Sequence, residues 1–553
     1  MNIVSTFDVL VNNPMSGTIS ENTMWTLADS PYTVTGNVLV STNATLTIEP
    51  GVTVKFDDAN ALQIQGTLVA RGTSSDKITF TSSKASPAPG DWENIQFLSS
   101  SIDANFGGAT STPANYVSGS ILEHVIIEYA GGGNNPAITI DSASPLINNI
   151  TARNNLNVAI KLNAETNSLN LIENSTFINN GSGIWCRNAA PGVNSTLYFG
   201  NNTVSYNSGI GIYIDHGCFG ILENNTIIYH PGKGIYIDSG ADIVNNIIVG
   251  NTEDGIHLLG GGNITGNVIS GNGRGISVHG GGVDVWNNTI SGNQLPLATA
   301  IYMGSANSPS TFTNNTITQN EYVCSGINLQ TDSCESQSHV VWLSHQNTVF
   351  NNNNIFSNPK GLANRNSLGA SDLDAQNNWW GTTDTNSIDD LISDWYDNGN
   401  VQIVDYTPIL ATPDTTAPPS PPNNVAAQTG STSIQLSWDA NPESDITGYK
   451  VHYDTDAAGY PYANSVDVGN VTSYTLSSLN TGTNYYTAIS AYDSGANESW
   501  YSTDTSATPV STPVKLGFVT QPANGTAGSN LSIQPVVAIQ DLENSTYTSV
   551  TTT

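Results

Sequence analysis

A short phrase, glycine followed by two branched aliphatic residues that flank a variable one, returns at nearly even spacing through the middle of the chain. It reads Gly211-Ile212-Tyr213-Ile214, Gly234-Ile235-Tyr236-Ile237, Gly255-Ile256-His257-Leu258 and Gly275-Ile276-Ser277-Val278. A second phrase falls between these, as Asn202-Thr203-Val204, Asn225-Thr226-Ile227, Asn246-Ile247-Ile248, Asn267-Val268-Ile269 and Asn288-Thr289-Ile290. Strand side chains alternate faces, so the two aliphatic residues of each first phrase point to one side and the variable residue to the other. A repeat of about 20 to 28 residues with short strands is too small to bury its apolar side alone and must stack on its neighbours, which predicts a solenoid with one coil per repeat. Leucine-rich repeats would need leucines at fixed offsets, and propeller blades about 40 residues or more; neither fits. Asn207, Asn251, Asn272, Asn293 and Asn320 follow the second strand at corners, where asparagine tolerates left-handed backbone and stacked amides can bond from coil to coil.

With these phrases the chain resembles the right-handed parallel β-helix proteins of the pectate-lyase-like superfamily, in the form found in large secreted bacterial and archaeal surface proteins. The resemblance covers roughly residues 20 to 412 and implies an all-β fold, a right-handed parallel β-helix solenoid followed by β-sandwich domains. Residues 1–20 read as an irregular N-terminal arm, and residues 21–412 as the β-helix with both caps. The wording from Trp25 through Gly66-Thr67-Leu68-Val69-Ala70 resembles an N-terminal cap, and Gln376-Asn377-Asn378-Trp379-Trp380-Gly381 a closing coil in which two tryptophans lie over the last core. Ser387 to Tyr396 predicts a short helix and Gln402 to Tyr406 a final strand. Residues 413–420, rich in Pro and Thr, read as a stiff linker. Residues 421–509 resemble a fibronectin type III domain, with Leu479, Gly482 and Tyr485 matching its tyrosine corner. Residues 510–553 resemble the opening of a bacterial immunoglobulin-like repeat, too short to complete a sandwich.

Composition narrows the function. Against 45 Asp+Glu stand 13 Lys+Arg, a formal net charge of -32. Phosphate binding needs a basic footprint, so nucleic acid is excluded as an expected partner. No apolar run reaches the length of a transmembrane segment, and residues 1–16 lack a basic stretch followed by an apolar one. Scarce lysine and abundant Asn, Thr, Ser and Gly, with the resemblance, imply an extracellular or cell-surface location. Sequons such as Asn174-Ser175-Thr176, Asn194-Ser195-Thr196 and Asn263-Ile264-Thr265 largely coincide with the corner phrase, so the repeat accounts for them first. Of four cysteines, Cys324 and Cys334 are placed to close one loop; Cys186 reads as a small buried hydrophobe, because pairing with Cys218 one coil later needs an offset from the register. No Cys/His spacing matches a structural zinc motif.

Aligning strands on the first inward residue gives columns of outward side chains. The first column is Gln96, Thr139, Lys161, Trp185, Tyr213, Tyr236, His257, Ser277, Tyr302 and Asn328; a second, two residues on, is Asp141, Asn163, Arg187, Asp215, Asp238, Leu259, His279, Gly304 and Gln330. A third, before the glycine, holds Ser182, Ile210, Lys233, Asp254 and Arg274 and reads as a surface salt-bridge ladder of its last three members. Successive coils lie about 4.8 Å apart, so Trp185, Tyr213 and Tyr236 form an aromatic strip beside Arg187, Asp215 and Asp238, with His257 next in line. Aromatic faces with carboxylates and a guanidinium suit sugars, while the same strip also serves to hold strands together. These residues are the expected ligand-binding set, with extracellular glycan or other copies of the chain as partners. Asp215 stacked on Asp238 asks for a cation, and calcium is the expected ion if one binds there.

The expected function is therefore a non-catalytic, secreted or cell-surface modular protein for adhesion, carbohydrate contact or an extracellular layer or filament. The alternative is a polysaccharide lyase or glycoside hydrolase acting on an acidic glycan, with Asp215, Asp238, His257 and His279 as catalytic residues and His216 a further base. The acid and glycine motifs of polygalacturonases are absent, and so few basic residues make a carboxylate-binding groove hard to build.

Overall fold

The computed structural model describes residues 13–108, 110–164, 169–188, 195–294, 299–304, 308–321, 339–345, 347–510, 515–540 and 546. They form two compact units, residues 1–417 and 418–553. The first is a stack of parallel coils. Among the described residues, its strands make one sheet of 27 and one of 15, every pairing in them parallel.

Each central coil has three faces. In one coil these are Ile212–Ile214, Cys218–Glu223 and Thr226–Ile228, which pair with Ile235–Ile237, Gly240–Val244 and Ile247–Val249 of the next. The first and third faces are the two phrases of the repeat. The middle face has no fixed phrase: its strands run Gly240-Ala241-Asp242-Ile243-Val244 and Gly261-Gly262-Asn263-Ile264-Thr265. Ile212, Ile235, Ile256 and Ile276 are fully buried in one column, each burial contributing about 2 to 3 kcal/mol. Glycine opens the phrase because there is no room for more: a Cβ on Gly211 would lie 2.5 Å from Gly234 O, and one on Gly255 2.8 Å from Asn272 Nδ2.

The corner asparagines do more than turn the chain. In Asn251, Asn272 and Asn293 each backbone N–H donates to the next coil's amide Oδ1, at 3.1, 3.0 and 3.1 Å, and each Nδ2 also donates to that oxygen and to a carbonyl of the coil before. A second buried ladder runs through Asn202, Asn225, Asn246, Asn267, Asn288, Asn315 and Asn353. The left-handed backbone falls one residue earlier than expected, at Tyr206, Gly250, Gly271, Gly292 and Gln319, so that the following asparagine can turn inward.

The ends differ in detail from the sequence reading. Within the stretch read as an irregular arm, Asn13–Ile19 is a strand paired in parallel with Tyr32–Val40 over the first coil. At the far end Trp380 is buried in the core and Trp379 packs on Phe356. The short helix is Thr385–Asp389, earlier than predicted, because Asp384 caps it by accepting from Ser387 N; Ile392–Ser393 is a strand. Val404–Asp405 closes the middle face. Asp414 exchanges backbone bonds with the Asn354 side chain at 2.7 and 3.0 Å.

The second unit contains a three-stranded and a four-stranded antiparallel sheet around Trp438, Tyr449, Val451 and Ile489. Tyr485 Oη accepts from Asn480 N at 3.1 Å, completing the tyrosine corner. Beyond it, Lys515–Thr520 and Val536–Gln540 pair as an antiparallel ribbon.

Candidate functional site

Register places the first outward column as the repeat predicts. Lys161 pairs with Trp185, Trp185 with Tyr213, Tyr213 with Tyr236, Tyr236 with His257, His257 with Ser277 and Ser277 with Tyr302. The next member is Trp342, on Val341–Leu343, in place of Asn328; Asn328, Gln330, Cys324 and Cys334 lie outside the described residues. The sequence spacing from Tyr302 to Trp342 is longer than the repeat, which hid this register.

The rings form one continuous ladder. Centroids are 5.5 Å apart for Trp185–Tyr213, 4.8 Å for Tyr213–Tyr236, 5.0 Å for Tyr236–His257, 4.8 Å for His257–His279, 5.2 Å for His279–Tyr302 and 6.1 Å for Tyr302–Trp342. His279 enters from the second column and fills the gap that Ser277 leaves. Cations close both ends: Lys161 Nζ lies 4.8 Å from the Trp185 ring and the Arg365 guanidinium 4.6 Å from that of Trp342. Trp185 and Tyr213, Tyr236 and His257, and His257 and His279 are stacked face to face, whereas Tyr213 and Tyr236 meet edge to face at 60° and Tyr302 and Trp342 are tilted by 56°. Among the described residues the Tyr213 and Tyr236 hydroxyls have no hydrogen-bond partner; burial first, then the nearby Asp215 and Asp238 carboxylates, push Tyr213 up to about 12 and Tyr236 upward.

Beside Tyr213 and Tyr236 the second column brings Asp215 and Asp238 onto adjacent coils. His216, whose role the repeat did not reveal because it sits in a turn, folds back so that Nδ1 is 3.0 Å from Asp215 Oδ1 and 3.0 Å from Asp238 Oδ2. Arg187 Nε is 3.6 Å from Asp215. Partial burial opposes ionisation of Asp215, but the His216 imidazole and backbone N–H and the Arg187 charge outweigh it and hold the carboxyl below its ordinary range. Burial lifts Asp238, His216 works against the lift, and the Asp215 charge adds to it, for a net rise. His216 is itself raised, by its bond to Asp215 and the charge of Asp238.

The third column departs from the expected ladder. Lys233 pairs with Glu253 in place of Asp254, because Asp254 is buried and engaged elsewhere: its carboxylate is 2.6 Å from His257 Nδ1 and 3.4 Å from Arg274. Arg274 also donates to Ser277 Oγ, 2.8 Å from His279 Nε2. Burial first, then His257 and Arg274, lower the pKa of His279.

Cys186 and Cys218 form a disulfide with Cα atoms 6.2 Å apart, correcting the reading of Cys186 as an unpaired core residue. The register partner of Cys186 is Ile214, and Cys218 lies just past the Asp215–Gly217 turn, where the chain enters the middle face opposite Ser195. The corner supplies the offset that a straight column does not. The bridge fastens the turn that carries Asp215 and His216.

Coils and faces define a parallel β-helix, followed in sequence by a fibronectin-like sandwich. A model of the right handed beta helix region matches residues 94–252 and 237–379, more than half of the chain, and the chain belongs to that family. A pectate-lyase like beta helix domain matches residues 17–144 and a fibronectin type III domain residues 420–506. Part of an alpha-amylase of Niallia circulans is 34% identical over 158 residues, 26% of this chain and 11% of that protein. Part of a Kelch domain-containing protein of Saccharolobus solfataricus is 38% identical over 77 residues, 14% of this chain and 10% of that one. The chain thus spans about a tenth of the length of these curated relatives. Among solved structures, the chicken CNTN1 FN1–FN3 domains are similar over 17% of this chain and 33% of that one, at 24% identity and a TM-score of 0.16. Among the described residues no helix is long and apolar enough to cross a membrane.

Proposed function

We propose that the protein is a secreted or cell-surface modular β-helix protein that contacts extracellular glycan, without catalysis, along the first face of its solenoid. The observation that carries this reading is the row of rings at one per coil, in which the Tyr213 and Tyr236 hydroxyls, without a hydrogen-bond partner among the described residues, stand beside Arg187, Asp215, His216 and Asp238. Sugars present a hydroxyl at short, regular intervals, and such an array of donors and acceptors on a rigid scaffold is suited to recognising them. A disulfide supports an oxidising compartment. The test is a glycan array with wild type and Tyr213→Phe/Tyr236→Phe. The double variant keeps the rings and loses only hydroxyls, so binding should fall while the melting temperature holds; undiminished binding rejects the strip as the contact surface.

One observation favours the enzymatic alternative. Asp254, buried, sits 2.6 Å from His257 Nδ1, an arrangement that orients an imidazole as a general base. Incubation with acidic and neutral polysaccharides, read as unsaturated ends or reducing sugar, decides it: turnover abolished by His257→Ala would replace the non-catalytic reading.

A further inference from the structure

We propose that Asp215, His216 and Asp238 form a binding site for a divalent ion of the zinc class. The site adjoins the glycan strip and deepens that reading, but it stands on its own geometry.

Asp215, His216 and Asp238 each offer one ligand atom, all within 4.8 Å of one another, and His216 Nδ1 is 3.0 Å from both Asp215 Oδ1 and Asp238 Oδ2. They come from two successive coils held in register by Asp215 N donating to Cys186 O and Asp238 N donating to Ile214 O, each at 2.8 Å. The two carboxylates are nine-tenths or nearly so withdrawn from solvent, with side-chain exposures of 15% and 10%. A single N–H on His216 Nδ1 faces both. Asp215 also receives the His216 backbone N–H at 2.8 Å and has Arg187 at 3.6 Å. Asp238 receives no hydrogen bond from any backbone N–H among the described residues. Two largely buried carboxylates on neighbouring strands repel each other; Arg187 reaches only the first, and a single imidazole is shared between them. A divalent ion between them resolves the imbalance.

The donor set selects the ion. Calcium takes six to eight oxygens, and this cluster offers two carboxylates and an imidazole nitrogen. That combination suits zinc and its first-row neighbours, which bind three protein ligands tetrahedrally and leave a fourth position open. With bonds of about 2.0 to 2.1 Å, tetrahedral ligand atoms lie roughly 3.3 Å apart, so the present spacing needs small side-chain adjustments. His216 is 79% exposed, which leaves it free to make them, while the Cys186–Cys218 bridge anchors its turn. Tyr213 and Tyr236 precede Asp215 and Asp238 by two residues on the same two coils, so a glycan held by the strip would lie close to such an ion.

The test uses the full chain, stripped with chelator and titrated with zinc chloride alone by calorimetry, with the melting temperature followed in parallel. One ion per chain is expected, with affinity at least about ten-fold lower in His216→Ala and in Asp238→Asn, and unchanged in His257→Ala, a control for the stacked imidazoles. His216 is exposed, so His216→Ala should melt as the stripped wild type does. Retained zinc affinity in His216→Ala, loss in His257→Ala alone, or calcium bound as tightly as zinc overturns the assignment. Glycan binding measured in chelator separates the two readings: zinc binding without glycan binding sinks the strip alone, and glycan binding without zinc binding sinks this site alone.

Discussion

His230 stands in the corner ladder where the coils on either side have Asn207 and Asn251, and it takes over their bonds. Asn207 Nδ2 donates to His230 Nε2 at 3.1 Å, and His230 Nδ1 donates to Asn251 Oδ1 at 2.8 Å. The ring is buried, and burial lowers its pKa from 6.5 to about 4 despite the bond to Asn251. A proton on Nε2 would also point at the Asn207 amide protons. The folded state therefore resists a proton that the unfolded chain accepts, so this contribution is intact above pH 6.5, erodes as pH falls from 6.5 to about 4, and changes no further below that. The whole effect is on the order of 3 kcal/mol. His230→Asn restores the repeat's own residue and removes the titration. Its stability should match wild type or exceed it near pH 7.5 and pull ahead progressively toward pH 4.5 in urea melts. Parallel pH profiles for the two proteins would show that His230 is not the sensor.

At the scale of the coil, the asparagine ladders tie strands whose own hydrogen bonds stop at the corners. Asn267 Oδ1 accepts from both the backbone N–H and Nδ2 of Asn246, and its own Nδ2 donates to Ile243 O. Asn267→Ala strands a buried N–H and a buried carbonyl, and the expected loss is about 3 kcal/mol. Asn263→Ala, where the exposed side chain donates to Asp242, should cost less than about 0.5 kcal/mol. Similar losses for the two would deny the ladder its role. The Cys186–Cys218 bridge spans 32 residues, and the Cys186→Ser/Cys218→Ser double variant should lose about 3 kcal/mol in the same assay. How much of this was legible follows from periodicity. Inward isoleucines and the two phrased faces recur in strict phase, so they were readable; the middle face varies from coil to coil and keeps one inward column, Leu222, Ile243, Ile264 and Val285, without a fixed phrase around it. The disulfide was hidden because column reasoning compares equivalent positions, and Cys218 sits at the corner, out of phase with Cys186. The aromatic column was readable for the same reason as the core. The mutual orientation of its rings was not, since that is set by packing, and neither was His216, which belongs to a turn outside the repeat.

Across the whole molecule the dominant electrostatic fact is charge of one sign, 45 acidic against 13 basic residues. Some of these cations are already committed, Arg71 to Glu123, Arg153 to Glu128 and Arg274 to Asp254. The remaining acids repel along a stack whose successive coils are about 4.8 Å apart, well inside the Debye length of about 10 Å at 0.1 M salt. Exposed ion pairs are each worth little, so screening should relieve more repulsion than it removes attraction. Raising sodium chloride from about 20 mM to about 500 mM, in chelator to silence divalent ions, is expected to raise the melting temperature by a few degrees. The same field bears on the glycan. A polyanionic polysaccharide approaching this surface is repelled at low salt, so neutral or amino sugars should give the stronger array signals, and any acidic glycan that binds should bind better as salt increases. A melting temperature that falls with salt, together with tightest binding of acidic glycans at the lowest salt, would mean that local cations such as Arg187 and Lys161 outweigh the net charge where it matters.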